Sequence, residues 1–181
     1  MKLCFLIYNY FPYGGQQRDF LQIASECARQ GHEILVYTMR WQGEHAPGFD
    51  IRIVPVKSNN RLKLYRLYTE WVKAAIAKDA PDLVVGFNKM PFLDVYFAAD
   101  SCFADKAETQ RGAYYKFTPR YRHFLGYEEA VFGKDSATRV LILSKAQGSA
   151  YEHYYPECKS RLYEVPPGIN KDRQVEAIDQ E

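Results

Sequence analysis

The stretch KLCFLIYNYFPYGGQQRDF, residues 2–20, decides the fold, because its periodicity changes at two adjacent glycines. Residues 2–8 form a continuous apolar run, which is typical of a strand buried on both faces of a sheet. After the glycines, apolar side chains recur at helical spacing until Gly31, which stands at the expected helix C′ position. The helical set consists of Phe20, Ile23, Ala24, Cys27 and Ala28. The stretch therefore predicts a strand, a glycine loop and a helix that begins near Gln16.

The rest of the chain continues this alternation of strand and helix. Further strands are predicted at residues 33–38, 51–56, 82–87, 95–99, 139–144 and 163–165. Helices are predicted along the stripe from Leu64 to Ala75, over 119–132 with Gly133 as the stop, and from about Lys145. Pro55 indicates that the strand at 51–56 is an edge strand or ends there. The alternation predicts an α/β fold, a Rossmann-like, doubly wound and mainly parallel sheet.

Length and composition narrow the class of protein. A chain of 181 residues with 47% hydrophobic content can bury one core, and its net charge of +2 is too small to indicate nucleic-acid binding. The cysteines and histidines are too scattered for a metal site, and the cysteines are expected to be buried thiols of a reduced, cytosolic protein. They are Cys4, Cys27, Cys102 and Cys158.

Neither a targeting nor a membrane-spanning segment is evident in the sequence. The apolar run at the N-terminus is short, contains aromatic residues and has no small-residue cleavage pattern, so we interpret it as a strand and not as a signal peptide. No stretch approaches the about 20 apolar residues that cross a bilayer. The sequence therefore predicts a protein that is soluble or lies on a membrane surface.

Three polar turns follow predicted strands, at residues 14–19, 86–91 and 100–103. Ligands of doubly wound sheets bind outside the carboxyl ends of the strands, so these turns are expected to converge on one face. Gly14 and Gly15 lack Cβ atoms, which would let the backbone adopt positive φ and approach a bulky ligand. The helix that follows would direct its free N–H groups at a phosphate or at sugar hydroxyls. For the loop taken alone, a plain tight turn stays open as the alternative interpretation.

Four motifs, in order, are YFPYGGQQRDF at 10–20, GFNKMPFLDVYFAADSCF at 86–103, RYRHFLGYEEAVF at 120–132 and VPPGINKDR at 165–173. Together they resemble the lipopolysaccharide core glucosyltransferases of glycosyltransferase family 4, which have the two-domain GT-B fold. The resemblance implies transfer of glucose from UDP-glucose, with retention of configuration, to the second heptose of the lipopolysaccharide inner core. It also implies an enzyme with no metal ion and no other cofactor, in which helix N-termini and basic side chains stabilise the departing diphosphate.

The resemblance also implies roles for particular residues. Gly14, Gly15 and Arg173 would bind the donor, and Asn88 and Lys89 the acceptor.

Asp19 and Asp100 would be the carboxylates of the catalytic cleft, holding sugar hydroxyls or acceptor without acting as nucleophiles. Purely structural readings stay open beside these roles. Asp19 suits the first turn of a helix, Asp100 suits a turn, and Lys89 suits a solvated surface.

The sequence departs from the family pattern at Asn9, Gln16 and Phe92, where Lys, Leu and Gly are expected. Phe92 is the most consequential, because an aromatic ring beside the acceptor cleft would narrow it.

Residues 110–127, the basic aromatic segment, contain four cations and no acidic residue. The residues concerned are Arg111, Tyr114, Tyr115, Lys116, Phe117, Arg120, Tyr121, Arg122 and Phe124. Aromatic rings suit the lipid headgroup boundary and cations attract anionic lipid, so this segment is predicted to bind the cytoplasmic face of the inner membrane, where the family's lipid acceptor is made. The alternatives are a solvated rim around core rings and a surface for single-stranded nucleic acid.

A complete enzyme of this family is about twice as long, with a second domain that carries an E-x7-E motif. No two glutamates here have that spacing. We therefore expect residues 1–165 to be the N-terminal, acceptor-side domain, residues 166–181 to open the interdomain linker, and the C-terminal donor domain to be absent. Two hypotheses follow: an inactive half of a glucosyltransferase, or a non-catalytic module that binds membrane or lipopolysaccharide.

Overall fold

A computed structural model describes residues 1–165, which contain a seven-stranded sheet with every neighbouring pair of strands parallel. Its strands are β1 (Lys2–Leu6), β3 (Glu33–Thr38), β5 (Phe49–Ile53), β6 (Leu83–Gly86), β7 (Val95–Ala98), β8 (Arg139–Ile142) and β9 (Leu162–Glu164). Two short strands, β2 (Asn9–Tyr10) and β4 (Arg40–Trp41), form a separate parallel pair.

Five α-helices connect these strands: α1 (Gly15–Arg29), α2 (Arg61–Asp79), α3 (Phe103–Gln110), α4 (Pro119–Phe132) and α5 (Lys145–Tyr154). Two 3₁₀ helices lie at Ala113–Phe117 and Pro156–Arg161. No helix within residues 1–165 is both long enough and apolar enough to cross a bilayer.

The strand order is β5-β3-β1-β6-β7-β8-β9. Strands β3 and β5 therefore lie on one side of β1, and the later strands, β6 to β9, lie on the other. The predicted doubly wound parallel sheet is confirmed. The reversal lies between β1 and β6, which is the position where a sheet of this type opens a crevice for ligands. The strand predicted at 51–56 is an edge strand, as Pro55 indicated, but it begins and ends earlier, at Phe49 and Ile53.

The two faces of the sheet have separate cores because successive side chains of a strand point in opposite directions. In β1, Cys4 and Leu6 belong to one core, whereas Leu3 and Phe5 belong to the other. The first core takes side chains from α2, α4 and α5, but the second takes its helical side chains from α1. The sheet is therefore covered unevenly.

Local signals fixed several helix boundaries. The Thr118 hydroxyl caps α4 by accepting a hydrogen bond from the Tyr121 N–H at 3.1 Å, and the helix ends just before Gly133, as predicted. Gly31 follows α1 with φ of +85°, the left-handed conformation expected at C′. The sequence predicted no helix at 103–110, where α3 lies.

The four cysteines are free thiols, but the expectation that all are buried is wrong for one of them. Cys4, Cys102 and Cys158 are buried, whereas Cys27 is half-buried on α1. Cys27 lies within the apolar stripe but lines a groove beside α1, which explains its partial exposure.

Candidate functional site

A cavity of about 290 Å³ lies beyond the carboxyl ends of β1, β6 and β7, and we call it the strand-end cavity. It brings together Asn88, Lys89 and Asp100, three of the residues that the sequence proposed for the site. Five aromatic side chains and two further residues complete its lining: Tyr8, Tyr65, Phe103, Phe124, Tyr127, Ser101 and Lys106. Aromatic walls with a few convergent polar groups are typical of a small-molecule site.

The backbone around the cavity is held by hydrogen bonds between neighbouring strand ends. The Asn88 side-chain oxygen accepts from the Tyr8 N–H at 2.8 Å, which joins the ends of β1 and β6 across the topological reversal. The Asp100 carbonyl accepts from the Tyr151 hydroxyl at 2.7 Å and from the Gln147 amide at 3.0 Å. These contacts fix the turn that carries Asp100 after β7.

Lys89 is paired with Glu128, a residue of α4 for which the sequence predicted no role in the site. The Glu128 side chain is fully buried and that of Lys89 is 11% exposed. Lys89 also donates to the Ser101 carbonyl at 2.9 Å. The alternative reading of Lys89 as a solvated cation is therefore wrong, because its side chain is mostly buried and a buried carboxylate compensates its charge.

Glu128 accepts several further hydrogen bonds. The N–H groups of Phe103 and Ala104, which open α3, donate to it at 2.6 and 2.9 Å, and the Tyr155 hydroxyl donates at 3.1 Å. Burial, followed by the nearby carboxylate, raises the pKa of the Cys102 thiol to about 12. The same two causes raise the pKa of Tyr155 above its usual value. Glu128 thus joins α3, α4 and Lys89 into one buried polar cluster.

The glycine loop lies beside the cavity, because the Gln16 side chain at the start of α1 donates to the carbonyl of Phe87, directly after β6. The expected positive φ at Gly14 and Gly15 is wrong: φ of Gly14 is −85°, and Gly15 is not among the positive-φ glycines. Gly14 is instead crowded by side chains, since a Cβ there would lie 1.8 Å from Gln17 Oε1 and 2.8 Å from Phe11 Cε2, and both side chains would have to move. A Cβ on Gly15 would meet no atom within 4 Å, so the space beside it is open.

Asp19 does not line the strand-end cavity. It lies half-buried at one end of a separate groove of about 710 Å³ between α1 and the less covered face of the sheet. Burial raises the pKa of its carboxyl, and the adjacent Arg18 partly opposes this shift. Because α1 starts at the carboxyl edge of the sheet, Asp19 is near the glycine loop, but the two predicted carboxylates occupy different depressions.

A family model supplies the comparison that decides the class of this chain: the model for glycosyltransferase family 4 matches residues 13–173. The chain belongs to glycosyltransferase family 4. The matched range includes the glycine loop and all the residues proposed for the site.

One lipopolysaccharide glucosyltransferase resembles the chain in sequence and in structure. The chain is 42% identical over 174 residues to the lipopolysaccharide glucosyltransferase WaaG of Escherichia coli (strain K12). The aligned region covers 96% of this chain and 46% of that relative. The crystal structure of WaaG, a glycosyltransferase involved in lipopolysaccharide biosynthesis, superposes with a TM-score of 0.91 over 94% of this chain and 46% of that one, at 42% identity. The chain thus spans about half the length of these relatives.

A more distant structure supports the fold alone. Sucrose-phosphate synthase from Thermosynechococcus elongatus superposes with a TM-score of 0.64 at 16% identity, over 93% of this chain and 48% of that one. The Rossmann-like sheet described above is therefore the N-terminal half of a GT-B architecture, as the sequence predicted.

Phe92, which replaces the glycine expected in family 4, has a left-handed backbone with φ of +61°. Glycine adopts this conformation without cost, whereas a residue with a Cβ is strained by about 1–2 kcal/mol. The ring of Phe92 is half-buried against the core between the sheet and α2, α4 and α5, and Phe92 is not among the residues that line the strand-end cavity. The expectation that this ring narrows the cavity is therefore wrong.

The basic aromatic segment divides into packed and projecting side chains. Tyr115, Tyr121 and Phe124 surround Phe103, with ring centroids 6.4, 5.9 and 5.5 Å from it. Tyr114 and Phe117 project instead, with 89% and 73% of their surfaces exposed. The four cations Arg111, Lys116, Arg120 and Arg122 are also exposed.

Two further predictions concern a donor residue and metal binding. Arg173, together with the linker predicted at 166–181, lies outside the described residues. Within residues 1–165, no group of three or more His, Cys, Asp or Glu side chains is placed to hold a metal ion.

Proposed function

We propose that the chain is the N-terminal, acceptor-side half of a retaining glucosyltransferase that transfers glucose from UDP-glucose to a heptose of the lipopolysaccharide inner core. The observation that carries this proposal is the 42% identity to a lipopolysaccharide glucosyltransferase along 96% of the chain. The position of the strand-end cavity, at the reversal of strand order between β1 and β6, agrees with it.

The lining of the cavity suits a sugar acceptor. Its volume is at the lower end of the about 300–1,000 Å³ that is usual for ligand sites, which favours one sugar unit over a long oligosaccharide. Rings such as Tyr65 and Phe124 offer apolar surface to the C–H faces of a sugar, while Asp100 and Asn88 offer hydrogen-bond partners to its hydroxyls.

In the proposed reaction the acceptor hydroxyl attacks the anomeric carbon on the face that the nucleotide leaves, and a donor phosphate oxygen takes the proton. Asp100 and Asp19 then orient substrates and form no covalent intermediate. Gly14 and Gly15 lie against the donor, with the open space at Gly15 allowing its approach. Arg173 would contact the donor from the chain beyond β9. The proposal includes no metal ion and no organic cofactor.

Most nucleotide contacts are assigned to a second half of the kind that the relatives carry, so we expect the 181-residue chain to be inactive alone. The test is a transfer assay with radiolabelled UDP-glucose and core lipopolysaccharide that lacks glucose. The open reading frame that contains this chain should support transfer. Transfer by the 181-residue chain alone would contradict the assignment of a half-site, and no transfer from the whole frame would contradict the function.

The proposal places the protein on the cytoplasmic face of the inner membrane, held by the basic aromatic segment. The observation that favours this is the exposure of Tyr114 and Phe117 among four exposed cations. Each cation near an anionic surface contributes about 1 kcal/mol of attraction. A module that binds membrane or lipopolysaccharide without catalysis is the second candidate function. Binding of nucleic acid is not proposed.

Vesicle flotation tests the membrane assignment. The chain should float with vesicles rich in anionic lipid and remain behind with neutral ones. The variant Tyr114→Ser/Phe117→Ser should lose binding, whereas Tyr163→Ser, which removes another exposed ring on β9, should retain it. Equal behaviour of both variants would exclude this surface as the membrane contact.

A further inference from the structure

The strand-end cavity contains two lysines in different electrostatic states. Lys89 is paired with the buried carboxylate of Glu128 and donates to a backbone carbonyl. Lys106, on α3, is exposed, and within residues 1–165 its ammonium forms no ion pair. The positive charge that remains available to a ligand is therefore that of Lys106.

The start of α3 is another group near the cavity that would ordinarily attract an anion. Free N–H groups at a helix N-terminus bind phosphates and carboxylates. Here the N–H groups of Phe103 and Ala104 already donate to Glu128, so they are not available to a ligand. Glu128 thus neutralises Lys89 and also occupies the anion-binding end of α3.

The remaining charges of the cavity are one carboxylate, Asp100, and one ammonium, Lys106. A carboxylate accepts hydrogen bonds from sugar hydroxyls, and an ammonium donates to an anionic oxygen. This combination suits a sugar that carries hydroxyls and one anionic substituent.

We propose that Lys106 binds an anionic group of the acceptor, a phosphate or a carboxylate, and that Lys89 does not, because Glu128 neutralises it. The inference rests on the proposed function, because it names a feature of the acceptor for the same cavity. It reassigns the cation of the acceptor site from Lys89 to Lys106.

The test compares ligands as well as variants. Binding of deacylated inner-core oligosaccharide to the 181-residue chain is measured by calorimetry in three ligand forms: native, dephosphorylated with hydrofluoric acid, and carboxyl-reduced. The variants are Lys106→Ala, Lys106→Arg and the control Lys73→Ala, which removes an exposed lysine of α2 that does not line the cavity.

We expect the wild-type chain and Lys73→Ala to bind one of the two modified ligands about tenfold more weakly than the native ligand, since a hydrogen bond between charged groups is lost. Which modification matters identifies the anion as phosphate or carboxylate. Lys106→Ala should bind all three forms with the same reduced affinity, and Lys106→Arg should retain the preference. A merely structural role of Lys106 would lower all affinities by one factor and leave the preference intact.

A preserved preference in Lys106→Ala, or no preference in the wild-type chain, would overturn the inference while leaving the proposed acceptor in place. If the wild-type chain bound none of the three oligosaccharides, the inference and the acceptor assignment of the proposed function would both be overturned.

Discussion

Removing the cation from the buried pair by Lys89→Met should strongly destabilise the chain. The substitution retains most of the side-chain volume but leaves the Glu128 carboxylate, with no exposed surface, without its counter-charge. Breaking one partner of a buried pair costs about 3–5 kcal/mol. The two N–H groups of α3 and the Tyr155 hydroxyl still donate to Glu128, which favours the lower end of this range. For a domain of this size the loss corresponds to a fall in Tm of about 6–20 °C.

The complementary variant Glu128→Gln should also be costly. Lys89 then lacks a counter-charge, and the new amide NH₂ faces a backbone N–H whichever way the side chain turns, because each carboxylate oxygen accepts one of these groups. The double variant Lys89→Met/Glu128→Gln contains no buried charge. It should therefore be more stable than the sum of the two single losses predicts, with a coupling energy of about 2–3 kcal/mol.

Urea unfolding of the four proteins, followed by circular dichroism, measures this coupling. The matched control is the exposed pair of Glu152 and Lys159, whose charged atoms are 3.3 Å apart with side chains 35% and 76% exposed. The cycle Lys159→Met/Glu152→Gln should give a coupling below about 1 kcal/mol. If the losses at Lys89 and Glu128 add within about 0.5 kcal/mol, the reasoning about the buried pair is wrong.

Three further predictions concern the glycine loop, the left-handed residue and the groove. Gly14→Ala should lower the free energy of unfolding by about 1–3 kcal/mol through crowding, whereas Gly15→Ala should raise it by about 0.5–1 kcal/mol because Ala suits a helix better than Gly. Urea melts check both. If Gly15→Ala is stable but transfers less glucose, the added Cβ obstructs the bound donor and does not weaken the fold. Phe92→Gly should be more stable than Phe92→Ala by about 1 kcal/mol, since both lose the ring and only Ala is strained at positive φ; equal midpoints would refute the strain. Because burial raises the pKa of Asp19, folding disfavours its ionised form. Asp19→Asn should therefore be more stable than the wild-type chain at neutral pH, and the difference should vanish in acid as the wild-type carboxyl protonates; a difference independent of pH would contradict this cause.

The sheet could be predicted because its signals are local. Each strand is a short apolar run and each helix a periodic stripe, and the caps at Thr118 and Gly133 fix the ends of α4. The meeting of Asn88, Lys89 and Asp100 follows from the same pattern, since carboxyl ends of neighbouring parallel strands share one edge. These inferences require no knowledge of distant contacts.

The polar cluster could not be predicted, because its members meet only in the folded chain. In the sequence, Glu128 is one of two adjacent glutamates on a helix, and nothing local distinguishes it from the exposed Glu129. Helix α3 lacks a side-chain cap of its own and relies on Glu128 instead, which explains why its start carried no recognisable signal. The separation of Asp19 from Asp100 likewise depends on which side of the sheet α1 covers.

The pair of Lys89 and Glu128 also constrains how this sequence can change through generations. The two residues are 39 positions apart, so no single codon change replaces both. A lineage that altered either one first would carry a weakened protein until the second change arrived. Among homologues, the residues at the two positions should therefore vary together or remain fixed together. A substitution at one position should be accompanied by a substitution at the other.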